Sequence, residues 1–374
     1  MGRSTAAACY AASSLVLLSC MLVTTEAAFT SASRRGLADV DAGRSSSSLV
    51  AELMGGMKSP LSTSQASAYA QLFKGTGSVA DLCNAGQLYC NARSYKAYHD
   101  KLLVELPQNM QDKDIPVFFR ESELVVGGQM SIEDPRLQTA ALERNRDFLM
   151  SSPHEFAQSK YTYLDIKKVP ERAFLPAELS KTLPFTNTSA SQVFKLDESS
   201  ELAQVSSKTV ETCNEGVHAD GTTELQGEAA GCATSLEGMQ SLLSSPMLLG
   251  PKQAAHVEAL VAEADQNLQG GFKGKVMEVK MRASEASRHA VCHNLMYPSA
   301  VYFCHYLPRT RVYAVTLQQA TASDKLLQAV AMCHLETTGW NPQHIAFQNL
   351  QTKPGESEAC HWVLQGSVTF VPAA

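Results

Sequence analysis

The dipeptide Cys-His occurs four times between residues 292 and 361, as Cys292-His293, Cys304-His305, Cys333-His334 and Cys360-His361. The surrounding segments, residues 289–291, 300–306, 329–335 and 359–364, are rich in strand-forming side chains. Neighbouring side chains on a strand point to opposite faces, so each dipeptide sends its thiol one way and its imidazole the other. If the four strands share a sheet, cysteines line one side and histidines the other. A layer of sulfur suits disulfides, and a cluster of imidazoles suits a transition metal.

The N-terminus bears on the compartment. Arg3 precedes an apolar run over residues 6–23 that is broken by Ser13, Ser14 and Ser19, and Ala27 and Ala28 follow Glu26. This reads as a secretory signal peptide over residues 1–27 rather than a membrane anchor. Its removal takes Cys9 and Cys20 and leaves Cys83, Cys90, Cys213, Cys232, Cys292, Cys304, Cys333 and Cys360, an even number suited to full pairing in an oxidising compartment. Cys83 and Cys90 can close a local ring, and Cys213 with Cys232 is the first choice of pairing; spacing leaves the other connectivities open. The Asn187-Thr188-Ser189 sequon, among Ser and Thr residues of loop character, fits N-glycosylation at Asn187. A formal charge of −6 and a pI near 5.9 argue against a nucleic acid or anionic membrane held by overall charge.

Taken in order, residues 28–114 read as a variable, partly disordered region. A serine run follows Arg44, and Gly55-Gly56 and Gly75-Thr76-Gly77 interrupt its helical stretches. Its clearest element is a helix over residues 94–106. The main domain spans residues 115–372 and opens on an apolar strand ending at Phe118-Phe119. Helical and irregular segments follow to about residue 250; Thr234 and Glu237 form a capping box for a helix with Leu236, Met239, Leu242 and Leu243 on its buried stripe. From Gly274 the texture turns to strand, with Met277, Val279 and Met281 alternating with Glu278, Lys280 and Arg282. Turn signals stand at Pro308, Gly339 and Pro354-Gly355. The fold expected is α+β: helices first, then a mostly antiparallel β-sheet C-terminal region, stabilised by disulfides.

The four Cys-His pairs at these spacings, Phe118-Phe119, the Cys213 and Cys232 loop, Tyr297 with Ala300-Val301, and Trp340-Asn341-Pro342, His344, Ala346-Phe347 and Pro354-Gly355 together resemble the BURP domain of plants. The resemblance covers about residues 115–371. One departure follows His361, where Trp362 to Gly366 lack the proline and acidic residues expected. The resemblance implies a secreted plant protein of the apoplast or cell wall, acting in development or stress response, and able to bind copper at His293, His305, His334 and His361, with His289 and His344 in reserve. Zinc is the lesser metal alternative. The bland alternative is that the cysteines serve disulfides alone and each histidine is a hydrogen-bonded core residue.

Some proteins of this kind are copper-dependent peptide cyclases that oxidatively join a Tyr or Trp side chain to a nearby atom, which is the alternative function. Residues 28–114 hold no Trp, and Tyr69, Tyr89, Tyr95 and Tyr98 sit in no repeated frame, so a separate peptide substrate fits that alternative better than self-cyclisation. Others resemble wall-associated proteins or enzyme subunits. Lys273, Lys275, Lys280, Arg282 and Arg288, set against Glu278 and Glu285, form a local basic surplus that suits either a solvated face or contact with an acidic wall polysaccharide. Trp340 and Trp362, the two tryptophans, are expected in the core.

Overall fold

The computed structural model describes residues 57–94 (78 and 80 excepted), 118–132, 172–215, 227–261, 272–320, 325–363 (343 excepted) and 367–373. The expected signal peptide, the tyrosines at 95 and 98, and all but the first residue of the helix expected over residues 94–106 lie outside them.

Among the described residues, two antiparallel sheets form the framework. The first has the order β1-β10-β9-β8-β5-β2, built from β1 (Phe118–Phe119), β10 (Ala359–Trp362), β9 (Leu326–His334), β8 (Thr310–Gln319), β5 (Phe272–Ala283) and β2 (Gln129–Ile132). The second has the order β3-β7-β6-β11-β4, built from β3 (Ala229–Ala233), β7 (Val301–Tyr306), β6 (Ala290–Leu295), β11 (Val368–Pro372) and β4 (Val257–Val261). The four Cys-His strands therefore do not share a sheet: β6 and β7 pair in one, β9 and β10 in the other. The chain changes sheets between Cys304 and Cys333, where β8 leaves its predecessor and pairs with β5 and β9.

Each sheet has a distinct interior. The first curls on itself, since the Trp362 indole N–H on β10 donates to Ser131 O on β2 at 3.0 Å, and Phe119, Met130, Ile132, Phe272, Val315 and Cys333 pack within the curl. The outer side of that curl meets the second sheet through Val312, Val330 and Met332 against Leu260, Val291 and Val371. The far face of the second sheet is covered by α6 (Leu236–Leu243) and α7 (Pro251–Ala254), which bury Met239, Leu243 and Ala254 against Ala290, Cys292, Tyr302 and Cys304.

A third cluster holds the N-terminal helices. α1 (Thr63–Thr76) and α2 (Leu82–Ala85) pack Ala66, Ala70 and Leu82 against α3 (Ala177–Thr182), α4 (Ser189–Phe194) and α5 (Glu201–Glu215), and this layer reaches Met296, Tyr297 and Val301 beside β6 and β7. Leu61, Val79 and the buried side chains of α1 and α2 thus belong to this packed layer. Ser62 caps α1, its hydroxyl accepting from Gln65 N–H and the Gln65 side chain accepting from Ser62 N–H. The buried Arg172 guanidinium fastens the entering chain to the β6–β7 link, donating to Ser299 O at 3.1 Å, to Asn294 Oδ1 at 2.9 Å and to Leu295 O.

Two local expectations need correction. The cap of α6 is Ser235, whose hydroxyl accepts from Gly238 N–H at 3.0 Å, whereas Thr234 Oγ1 lies 2.6 Å from Ser180 Oγ. Both residues have capping chemistry, and only the tertiary partner of Thr234 separates them. On β5 the buried partner of the alternation is Val276, and Met277 and Met281 are 42% and 51% exposed. Register shifts between Val276 and Glu278 and between Met281 and Ala283 break the period of two, so the apolar pattern there does not mark an inward face.

Candidate metal centre: two facing histidine pairs

All eight described cysteines are paired: Cys83–Cys90, Cys213–Cys232, Cys292–Cys304 and Cys333–Cys360. The last two join residues that stand directly opposite in the β6–β7 and β9–β10 ladders, with Cα separations of 3.9 and 4.0 Å. Cys292 and Cys304 face the helix layer, and Cys333 and Cys360 face the inside of the curled sheet. Alternation then turns the following histidine of each strand to the opposite face, towards the other sheet.

On those faces the imidazoles meet in twos. His293 Nε2 lies 3.0 Å from His305 Nε2, and His334 Nε2 lies 3.2 Å from His361 Nε2. The remaining ring nitrogens are all engaged. Ser367 Oγ is 3.1 Å from His293 Nδ1, and Glu228 Oε1 is 2.6 Å from His305 Nδ1. Thr310 Oγ1 is 3.0 Å from His334 Nδ1, and His361 Nδ1 lies 3.1 Å from Trp362 O. Glu228 is 1% exposed, so this contact is buried.

The long link from β9 to β10 folds α8 (Ile345–Leu350) and its preceding turn over the second pair. Thr337 holds that link, its hydroxyl donating to Ser357 O at 3.0 Å and accepting from Gly355 N–H at 3.0 Å. Gly355 takes φ 77°, and a Cβ there would meet Thr338 Oγ1 at 2.8 Å, which accounts for the glycine of the Pro354-Gly355 turn. The link sets the Trp340 ring 5.2 Å from His334 and 4.9 Å from His344, and Phe118 lies against His344 and His361 at 5.4 and 5.7 Å. His344 caps α8, its Nδ1 accepting from Ala346 N–H at 3.1 Å.

Electrostatics link the two pairs. Burial, followed by the fields of His361, His305, His289 and His344, holds His334 well below the ordinary histidine value. Burial first, then His361, brings His344 down to about 4. His289 is likewise lowered to about 4, chiefly by burial and also by His305. These three rings are neutral at neutral pH, the form that binds a metal. His289 is 1% exposed and packs edge-on to Tyr306 at 5.4 Å, and a backbone hydrogen bond at Ser287 opposes part of the lowering.

Among the described residues no three His, Cys, Asp or Glu side chains converge on one point closely enough to enclose an ion. Sequence reasoning pictured one cluster of four imidazoles; the structure brings the same four together as two pairs. Within a pair the spacing suits a metal. Bonds of about 2.0 Å to two imidazole nitrogens place those nitrogens about 2.8 Å apart at a right angle and about 3.3 Å apart at a tetrahedral angle, and the observed 3.0 and 3.2 Å fall between. Each pair can therefore give two nitrogens and leave further positions open. Glu228, Thr310 and Ser367, which orient the rings, carried no signal in the sequence, being single polar residues at no recognisable spacing.

Other expected sites are also placed. Asn187 is exposed in the turn before α4, accessible for glycosylation. The basic surplus is largely used within the fold: Arg282 pairs with Glu258, Lys280 with Glu278 at 2.9 Å, and Arg288 donates to Pro246 O, Met247 O and Leu248 O. Trp362 is buried against Phe119 at 4.9 Å, and Trp340 is half-buried over the second histidine pair.

Two antiparallel sheets, each stapled by a cross-strand disulfide and each turning a histidine pair towards the other, define a disulfide-stabilised α+β domain with imidazole-rich interior sites. Residues 155–372 match the BURP domain, and the chain belongs to that family. It is 30% identical over 256 residues to BURP domain-containing protein 12 of rice (Oryza sativa subsp. japonica), covering 68% of this chain and 34% of that protein. It is 34% identical over 201 residues to BURP domain protein RD22 of Arabidopsis thaliana, covering 53% and 48% respectively. With the polygalacturonase-1 non-catalytic subunit beta of tomato (Solanum lycopersicum) the identity is 29% over 211 residues, covering 56% and 32%. The chain thus spans about a third to a half of the length of these relatives. Among the described residues no helix is long and apolar enough to cross a membrane.

Proposed function

We propose that this is a secreted BURP-domain protein of the plant apoplast or cell wall that serves development or stress response and binds copper through its two histidine pairs. The facing Nε2 atoms of His293 and His305, and of His334 and His361, carry the metal half of this reading. Imidazole nitrogens suit copper, and the neutral state of buried His334 supplies the lone pair it needs. Four disulfides support an oxidising compartment, where they persist. Relatives named as non-catalytic subunits of polygalacturonase favour a role exerted through a protein partner in the wall.

Bound copper would supply one-electron chemistry. The imidazoles of the pairs would hold it, and an oxidisable ring stands beside one of them: Trp340 lies against His334 and His344. Those contacts favour a second reading, a copper-dependent oxidative cyclase acting on a separate peptide. Copper titration of the metal-free protein separates the possibilities. His293→Ala and His334→Ala should each remove bound copper, and unchanged stoichiometry in both would refute the metal site. Copper and oxygen followed by digestion and mass spectrometry then test the second reading, which requires peptides lighter by two hydrogens.

A further inference from the structure

The two histidine pairs share a hydrogen-bonding logic that determines which ring nitrogen carries the proton. A carboxylate and a carbonyl oxygen only accept. His305 must therefore donate from Nδ1 to Glu228 at 2.6 Å, and His361 must donate from Nδ1 to Trp362 O at 3.1 Å. As neutral imidazoles, both rings are thereby held with an unprotonated Nε2. The nitrogens facing them must then donate if the 3.0 and 3.2 Å contacts are hydrogen bonds, so His293 and His334 carry their proton on Nε2. Their Nδ1 atoms are left as acceptors. What stands beside each is a hydroxyl, Ser367 Oγ at 3.1 Å and Thr310 Oγ1 at 3.0 Å, and a hydroxyl can either donate or accept.

We propose that Ser367 and Thr310 are positioning residues that let one histidine of each pair exchange tautomers, with Glu228 and the Trp362 carbonyl holding the other histidine fixed. In the metal-free protein the hydroxyl donates to Nδ1, and Nε2–H donates across the pair. When a metal takes the pair, the proton of His293 or His334 resides on Nδ1 and donates to the same hydroxyl oxygen. Both Nε2 lone pairs then face the metal, and the ring neither gains nor loses a proton overall. Ser367 and Thr310 are both buried, so neither ring has bulk water as a substitute partner.

The metal-free half of this inference stands alone; the exchange rests on the metal-binding reading above. The test is long-range proton–nitrogen correlation NMR of histidine-labelled protein, assigned by single His→Gln variants, without metal and then with zinc(II) as a diamagnetic probe. Without metal, His305 and His361 should be Nδ1–H tautomers and His293 and His334 Nε2–H tautomers. Zinc should move His293 and His334 to Nδ1–H and leave His305 and His361 as they were. Finding His293 and His334 as Nδ1–H without metal overturns the assignment, as does finding His305 as Nε2–H.

Affinity supplies the second readout. Ser367→Ala leaves a buried Nδ1–H without an acceptor in the loaded state, so binding at the His293 and His305 pair should weaken about 10- to 100-fold, with Ser367→Thr restoring it. Unaltered affinity in Ser367→Ala, alongside lost binding in His293→Ala, overturns the role of Ser367 while sparing the metal site. No binding by any form defeats the metal-binding reading and the exchange with it, and leaves the metal-free tautomers to be judged on their own spectrum.

Discussion

His289 offers a quantitative test of how the histidine interior loads on the stability of the fold. Its folded value is lowered from 6.5 to about 4, chiefly by burial, and in the unfolded chain it returns to its ordinary value. The folded state therefore binds fewer protons than the unfolded state between those limits. The associated stability is fully present above pH 6.5 and is lost as pH falls towards 4. At pH 4.5 the two values imply a loss of about 2.5 kcal/mol from this one residue, a large part of the roughly 5–15 kcal/mol by which domains are stable. His289→Phe removes the titration and replaces the buried ring nitrogens with carbon. Urea unfolding under non-reducing, metal-free conditions at pH 7 and pH 4.5 isolates the term as a double difference. The stability of the variant relative to wild type should rise by about 2.5 kcal/mol on going to pH 4.5, with matched m-values. A rise below about 1 kcal/mol would mean that the ring is solvated, and the burial argument would fail.

Two further outcomes follow from the framework. Replacing both Cys333 and Cys360 with Ser opens a loop with a sequence separation of 27 and should cost about 3.5 kcal/mol by chain entropy, read as a lower urea midpoint against wild type. Arg288→Ala removes a guanidinium that donates at 2.7, 2.9 and 2.7 Å to the three carbonyls after α6 and lies 5.2 Å from the Tyr306 ring centroid; unfolding should record a loss of about 1–2 kcal/mol with copper stoichiometry unchanged.

The strands carrying the Cys-His dipeptides were legible because extended chain has a period of two, and that periodicity also separates sulfur from nitrogen. Their division between two sheets was not legible. It depends on β8, whose place is decided by pairing with β5 and β9. The contribution of residues 57–94 to the core was hidden for a similar reason: Ala66, Ala70 and Val79 are small and widely spaced, and only α3 to α5 reveal their burial. On β5, the register shifts made an apolar alternation point outward at Met277 and Met281. The imidazoles were nameable in advance, but their partners were not. Glu228, Ser367 and Thr310 stand 77, 74 and 24 residues from the histidines they contact, and only strand pairing brings them alongside.

The two hairpin-like units also explain why cysteine and histidine adjoin. In the order β3-β7-β6-β11, Cys292 stands opposite Cys304, and in the order β1-β10-β9-β8, Cys333 stands opposite Cys360. A disulfide between directly opposed residues locks the ladder at that point, because a slip of one residue would separate the sulfurs and turn the histidines to the wrong face. The imidazoles, one residue along each strand, meet diagonally across the locked pair, and both units reach nearly the same nitrogen separation. Their outer neighbours then make them different. Thr310 stands opposite His334 on β8, and Ser367 precedes β11 beside His293, so each unit has a hydroxyl on one flank. On the other flank the first unit has Glu228, and the second has Phe118 opposite His361. A buried carboxylate stands beside His305 of the first pair, whereas the second pair lies among the rings of Phe118, Trp340 and His344. Common strand geometry thus sets the spacing of both pairs, and the strands on either side set their chemistry.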